Sequence, residues 1–198
     1  MDPGVLDEDQ QKHAWVKAMF ESSWKKGFSA GGPKNNAYFT RNPQIILTLM
    51  EEDEEQDSDQ VGCSFLVLLS QKERRLLNAK PIPIGFYLYK VQGMNLQMTT
   101  EELQYPLAET KFEFRRDIVK RMKCSPGRYI IIPTMNESDA EGDFTLTVYT
   151  EKVNKSRMMG RSSTTLPQTP TPPAMDTEKL FKVVVGVVSD DCDSQVKS

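Results

Sequence analysis

Gly142-Asp143-Phe144-Thr145-Leu146-Thr147-Val148-Tyr149-Thr150 is the stretch that decides the fold. Phe144, Leu146 and Val148 recur at every second position with threonines between them, the period of a strand that buries one face. The alternation reads as a half-buried edge. Outward from it, apolar segments at 15–20, 44–50, 63–70, 84–91, 116–123 and 128–133 are separated by Gly, Pro and charged turns. Segments this short and this regularly punctuated predict an all-β fold, an antiparallel sandwich of about eight strands. Residues 63–69 are almost wholly apolar, which suits a central strand covered on both faces. The stretch 111–123 stays ambiguous, because Ile118, Val119 and Met122 fit helical spacing while Ile118 and Met122 also fit a strand.

A chain of 198 residues, 38 % hydrophobic and 27 % charged, is enough for one globular core with tails. The composition divides it into a polar, disordered leader at 1–13, a sandwich at 14–153, and a Ser/Thr/Pro-rich linker and tail at 154–198. Within the tail, Leu180 to Val188 has strong β propensity and either adds an edge strand or stands as an exposed apolar segment. Met1 to Gln10 lacks the basic-then-apolar pattern of a secretory signal, and no apolar run is long enough for a transmembrane segment. Cys63, Cys124 and Cys192 are odd in number and lack metal-ligand or redox spacing, so reduced thiols and a cytoplasmic location are expected.

The net charge of −3 hides an asymmetry. Glu51-Glu52-Asp53-Glu54-Glu55-Gln56-Asp57-Ser58-Asp59 holds seven acids and no base, leaving 25 bases against 21 acids elsewhere. So dense a single-sign run repels itself and forms a solvated loop, here between the strands ending near Met50 and beginning near Cys63. Glu51, Glu52, Asp53, Glu54, Glu55, Asp57 and Asp59 are the candidate calcium ligands, since calcium takes clustered oxygens. The loop is not an EF-hand: counted from Asp53, position six is Ser58 and position twelve Ser64. Any affinity is expected at the weak end, about 10⁻⁴–10⁻³ M, and the competing reading is a solvated loop with no specific ligand. No other metal site and no firm cofactor is read. A second cluster, Glu137-x-Asp139-x-Glu141-Gly142-Asp143, reaches Val148 at its twelfth position and reads as a polar hairpin turn.

The bases fall into groups around Lys25, Lys26, Lys34 and Arg41, and around Arg115, Arg116, Lys120 and Arg121. They suit a charged sheet surface, an answer to the acidic loop, or an anionic membrane surface. The overall balance gives no indication of nucleic acid as a partner.

Several blocks in order carry a family resemblance: Trp24-Lys25-Lys26-Gly27, Ala30-Gly31-Gly32, Asn42-Pro43-Gln44, Ile84-Gly85-Phe86-Tyr87, Pro126-Gly127-Arg128-Tyr129 and Gly142-Asp143-Phe144. Together they resemble domain III of the calpains, calcium-dependent cysteine endopeptidases, over roughly residues 15–152. The resemblance implies a non-catalytic sandwich, an extended segment before Pro126-Gly127, and an acidic loop tied to regulation. It also implies an acidic phospholipid surface or calpain-type catalytic domains as partners, and a cytoplasmic protein that can sit at the membrane periphery. The family's catalytic cysteine and asparagine motifs are absent, and the single histidine, His13, lies in the polar leader. No proteolytic activity is therefore expected of this chain itself. Two other readings stand beside this one: a partial chain of such a protease whose catalytic domains lie elsewhere, and a protein-binding scaffold sandwich.

Overall fold

The two-residue periods close into two sheets. In the computed structural model, residues 15–53, 61–72, 80–91, 101–159 and the backbone of 190–191 are described. The strands among them are β1 Val16–Trp24, β2 Gln44–Leu49, β3 Cys63–Gln71, β4 Ile84–Lys90 and β5 Ala108–Glu109. They continue as β6 Asp117–Cys124, β7 Gly127–Met135, β8 Gly142–Thr150, β9 Asn154–Met159 and β10 Asp190–Asp191. Two of the ten, β5 and β10, are only two residues long, so the described residues contain eight full strands. One sheet runs β1-β8-β3-β6-β10 and the other β5-β4-β7-β2-β9. Neighbours are antiparallel, apart from the short parallel pairing of β10 with β6.

Phe144, Leu146 and Val148 all point between the sheets and are fully buried, as the alternation predicts. They pack with Phe65, Val67 and Leu69 of β3, and with Ile45, Leu47, Phe86, Leu88 and Ile131 across the sandwich. Each such side chain contributes about 1.5–3 kcal/mol by leaving water, so this layer is the main source of stability. One expectation needs correction: β8 is not an edge but lies between β1 and β3. Its threonine face looked like an exposed edge because only one face is apolar, a property that does not distinguish edge from interior strands. β3, the expected central strand, is central, with Phe65, Leu66 and Val67 all buried. The stretch 111–123 is extended into β6, not helical.

A second apolar layer covers the outer face of β4, β7 and β2. Ile46, Tyr87, Tyr89, Ile130 and Ile132 are capped by Phe39 and Leu103, which sit on single 3₁₀ turns at Phe39–Arg41 and Glu102–Gln104. Phe39 meets Tyr87 edge-on with ring centroids 5.3 Å apart. The buried Tyr89 hydroxyl donates to the Leu103 carbonyl at 2.9 Å, so its polar end is satisfied.

Asn42 locks the loop before β2. Its Oδ1 accepts from Gly31 N–H at 3.0 Å, and its Nδ2 donates to the carbonyls of Gly32 and Phe39 at 2.8 and 2.9 Å. Gly31 is required there, since a Cβ would stand 2.1 Å from the Tyr38 carbonyl oxygen.

Residues 154–159, which composition places in the linker, instead form β9 and pair with β2 from Gln44↔Met159 to Leu49↔Asn154. Lys155 and Arg157 on this outermost strand are charges of the kind that discourage further strand pairing. The leader at 1–13, the stretch 160–189 and the apolar segment Leu180 to Val188 lie outside the described residues. Cys124 is disulfide-bonded and Cys63 is a free thiol, so the expectation of reduced thiols fails at Cys124. Sequence spacing did not reveal it, because cross-linking depends on which strands become neighbours.

Candidate functional site

The acidic run opens where β2 ends, at one end of the sandwich. Glu51, Glu52 and Asp53 are described, whereas Glu54, Glu55, Asp57 and Asp59 lie outside the described residues. The root of the loop is closed by three bonds. Asp53 N–H donates to the Gly62 carbonyl at 3.0 Å, Ser64 N–H donates to Asp53 Oδ2 at 2.6 Å, and the Cys63 thiol donates to the Glu51 carbonyl at 3.1 Å. The other carboxylate oxygen, Asp53 Oδ1, is buried and has no hydrogen-bond partner. A cavity of about 10 Å³ beside this root, lined by Glu51, Asp53, Cys63, Ser64, Thr150 and Lys152, has room for one water-sized group. Burial, reinforced by the charges of Asp53 and Glu52, pushes the Cys63 thiol up to about 11, while Lys123 opposes the shift.

A buried, half-satisfied carboxylate is costly unless a donor or cation completes it. Among the described residues, no group of three or more His, Cys, Asp and Glu side chains is arranged to hold a metal ion. Calcium at this position would need six to eight oxygens, so Asp53 Oδ1 supplies one ligand and the acids at 54–59 would have to bring others. The donor chemistry fits calcium, and the root alone is not a complete shell.

The other acidic cluster is a structural turn. Asp139, at φ 60°, accepts from Gly27 N–H at 2.9 Å, and Glu141 accepts from Lys26 N–H at 3.1 Å. These carboxylates tie the loop after β1 to the turn before β8.

The predicted bases do not form one surface. Lys25, Lys26, Arg115 and Arg116 follow β1 or precede β6 at the end away from the acidic loop: Trp24 pairs with Gly142, and Ser70 with Asp117. Lys34 pairs with Glu109 at 2.7 Å and lies 5.7 Å from the centre of the Tyr87 ring. Lys120 donates to the Glu109 carbonyl at 3.0 Å. Arg41 stacks 4.0 Å from the Tyr38 ring, and Arg121 lies 5.9 Å from Trp15. Arg115 pairs with Glu113 at 2.7 Å, and Arg116 approaches Asp117 at 4.0 Å. The nine residues of β1 separate the two ends, Val16 facing Thr150 and Trp24 facing Gly142. At about 3.3 Å per residue that is some 26 Å, roughly three screening lengths of about 8 Å at physiological salt. The described root of the acidic loop, Glu51 to Asp53, therefore lies beyond direct electrostatic reach of Lys25, Lys26, Arg115 and Arg116. The bases that do meet its root are Lys152, on the cavity lining, and Lys123, within electrostatic reach of Cys63. Lys152 follows β8 by two residues, and only the pairing of Phe65 with Thr150 brings it to the start of β3.

What these features define is a two-sheet β-sandwich with an acidic loop root at one end. Residues 20–149 match the family described as calpain large subunit, domain III. The chain belongs to that family. It is 32 % identical over 211 residues to Calpain-A of Drosophila melanogaster, covering 94 % of this chain and 25 % of that protein. It is 36 % identical over 162 residues to the calpain-1 catalytic subunit of Gallus gallus, covering 76 % and 23 %. Against calpain-9 of Mus musculus the identity is 35 % over 196 residues, covering 90 % and 28 %. The chain thus spans about a quarter of the length of these relatives. Among the described residues no helix is long and apolar enough to cross a membrane.

Proposed function

We propose that this chain is a non-catalytic, cytoplasmic regulatory module in which the acidic loop at 51–59 responds to calcium. The observation that carries the reading is Asp53 Oδ1, a buried carboxylate oxygen without a partner at the root of a run of seven acids. A cation gives that oxygen the partner the protein withholds, and the neighbouring acids supply further oxygens. Calpain-type catalytic domains are the partner we assign to the module, in keeping with the length of its relatives. Calorimetric titration of calcium into the full chain tests the reading. A Kd of about 10⁻⁴–10⁻³ M is expected, weakened at least tenfold in Asp53→Asn. Equal binding by wild type and variant, or no heat from either, refutes it.

A specific feature also favours an acidic phospholipid surface as a second partner. Phe28 is 62 % exposed in the turn that follows Lys25 and Lys26. An exposed apolar ring in the same turn as two lysines matches the boundary between headgroups and acyl chains, where each lysine is worth about 1 kcal/mol. Because the loop root is some 26 Å away, as the β1 rise of about 3.3 Å per residue gives, this binding is calcium-independent. Sedimentation with phosphatidylserine vesicles at low salt should show binding with and without calcium, lost in a Lys25→Gln, Lys26→Gln, Phe28→Ala variant. Retention of binding by that variant refutes the assignment.

A further inference from the structure

The register of β3 on β6 places Cys63 directly opposite Cys124. Both side chains belong to the layer between the sheets and both are buried, at 3 % and 2 % exposure. Directly opposed residues of antiparallel strands have Cα atoms about 4.5–5.5 Å apart, inside the roughly 4.4–6.8 Å that disulfides span. One of the two sulfurs is a free thiol and the other is already part of a disulfide. A thiol facing a disulfide sulfur is the reactant arrangement for exchange.

We propose that Cys63 and Cys124 are a redox-modification site, in which the Cys63 thiol exchanges into the disulfide at Cys124 and forms a cross-strand bond between β3 and β6. The Cys63 thiol first gives its proton to solvent. Its sulfur then attacks Cys124 Sγ, forming the 63–124 bond as the existing S–S bond breaks. The departing sulfur leaves with the electron pair and takes up a proton. Electrons balance without an external oxidant, because one disulfide replaces another.

The exchange has a local consequence. Cys63 currently donates its S–H to the Glu51 carbonyl, one of the three bonds closing the acidic loop's root. The cross-strand disulfide removes that donor. The same loop root is then held by the two bonds of Asp53, with the start of β3 fixed covalently to the end of β6. Burial makes the step slow. At 3 % exposure the Cys63 sulfur is largely shut off from solvent, so exchange depends on local opening of the β3–β6 pair.

Peptide mapping of the full chain tests the site independently of calcium. The protein is held in a glutathione redox buffer at several pH values, quenched by alkylation, digested and mapped by mass spectrometry. The expected product is a linked peptide pair joining Cys63 to Cys124. A Cys192→Ser chain, treated with oxidised glutathione, separates the pair from the third cysteine. There glutathione first caps Cys124 or Cys63, and the opposing thiol displaces it as reduced glutathione, giving the same linked peptides. The proposal is overturned if Cys63 is recovered alkylated under all these conditions while Cys124 stays in a disulfide with another sulfur. It is equally overturned if either thiol stops at the glutathione adduct. Should the variant fail to fold, the wild-type map alone decides, since it needs no substitution.

Discussion

Replacing Phe144 with Ala tests the core at the position from which the fold was read. The ring is fully buried on β8, flanked in register by Ser22 of β1 and Gln71 of β3. It lies against Trp24 with centroids 4.2 Å apart and the planes tilted by 32°. Truncating a buried Phe costs about 3–5 kcal/mol, and the lost ring pair about 0.5–1.5 kcal/mol of additional specific contact. The upper half of the first range applies, because β1 and β3 hold the site open from both sides and Trp24 is fixed by its indole N–H, which donates to the Pro133 carbonyl at 3.1 Å. A loss of about 4 kcal/mol lowers the midpoint of thermal unfolding by roughly 8–16 °C for a domain of this size. The matched control is Phe28→Ala, the same chemical change at a ring that is 62 % exposed, for which about 0.5 kcal/mol or less is expected. Calorimetry or circular dichroism on the full chain gives both shifts. If Phe144→Ala unfolds within about 2 °C of Phe28→Ala, against the shift expected for a buried ring, the inward face of β8 is wrong and the two-sheet core falls with it.

Asn42→Ala leaves the Gly31 amide and the Phe39 carbonyl without the partner Asn42 supplies, so a loss of about 2–4 kcal/mol is expected in urea unfolding; less than about 0.5 kcal/mol would show the loop is not locked by that side chain. Native-state alkylation of Cys63 by iodoacetamide should be slow near neutrality and keep accelerating towards pH 11, and a rate that levels off near pH 9 would contradict its burial beside acids. Lys152→Gln removes a positive charge from the lining of the acidic root and should tighten calcium up to about fivefold, within the range of a partly exposed charge pair, whereas Lys25→Gln should leave calcium affinity unchanged in the same titration. The purified chain should release no peptides from casein at any calcium concentration, and cleavage abolished by substituting Cys63, Cys124 or Cys192 would make it an enzyme.

What was legible in the sequence follows from how locally each feature is encoded. The alternation of Phe144, Leu146 and Val148 sets an inward face by itself, since side chains on a strand change sides at every residue. The doubly apolar runs Phe86-Tyr87-Leu88-Tyr89 and Ile130-Ile131-Ile132 announce strands covered on both faces, but not what covers them. Phe39 and Leu103 do so from single 3₁₀ turns, too short to carry a period. β9 was missed because Asn154-Lys155-Ser156-Arg157 has little intrinsic strand preference; pairing with β2 decides its conformation. The site divides in the same way. The acidic loop and its place between two strands could be read from charge alone. Its bonds to Ser64 and Gly62, its neighbour Lys152 and the opposition of Cys63 to Cys124 depend on register, which sequence spacing does not state. Bases close in sequence, such as Lys120 and Arg121, separate onto different surfaces: one reaches Glu109 and the other Trp15.

Register also decides what a charge change at the loop can influence. The cavity beside Asp53 is bounded by Thr150, Lys152 and Val153, the turn that joins β8 to β9. That turn is held by Thr150, whose hydroxyl donates to the Lys152 carbonyl at 2.7 Å and accepts from Asn154 Nδ2 at 2.7 Å. A cation at Asp53 Oδ1 would share the cavity lining with this turn, Lys152 included. The turn at Lys25–Phe28 is some 26 Å away by the strand rise of about 3.3 Å per residue, beyond the roughly 8 Å over which exposed charges act. The β8–β9 hairpin is therefore the element that borders the described root of the acidic loop. The lysines at 25 and 26 lie at the opposite end of the sandwich. A single electrostatic switch linking the described root of the loop to the lysines at 25 and 26 would have to act over the length of β1.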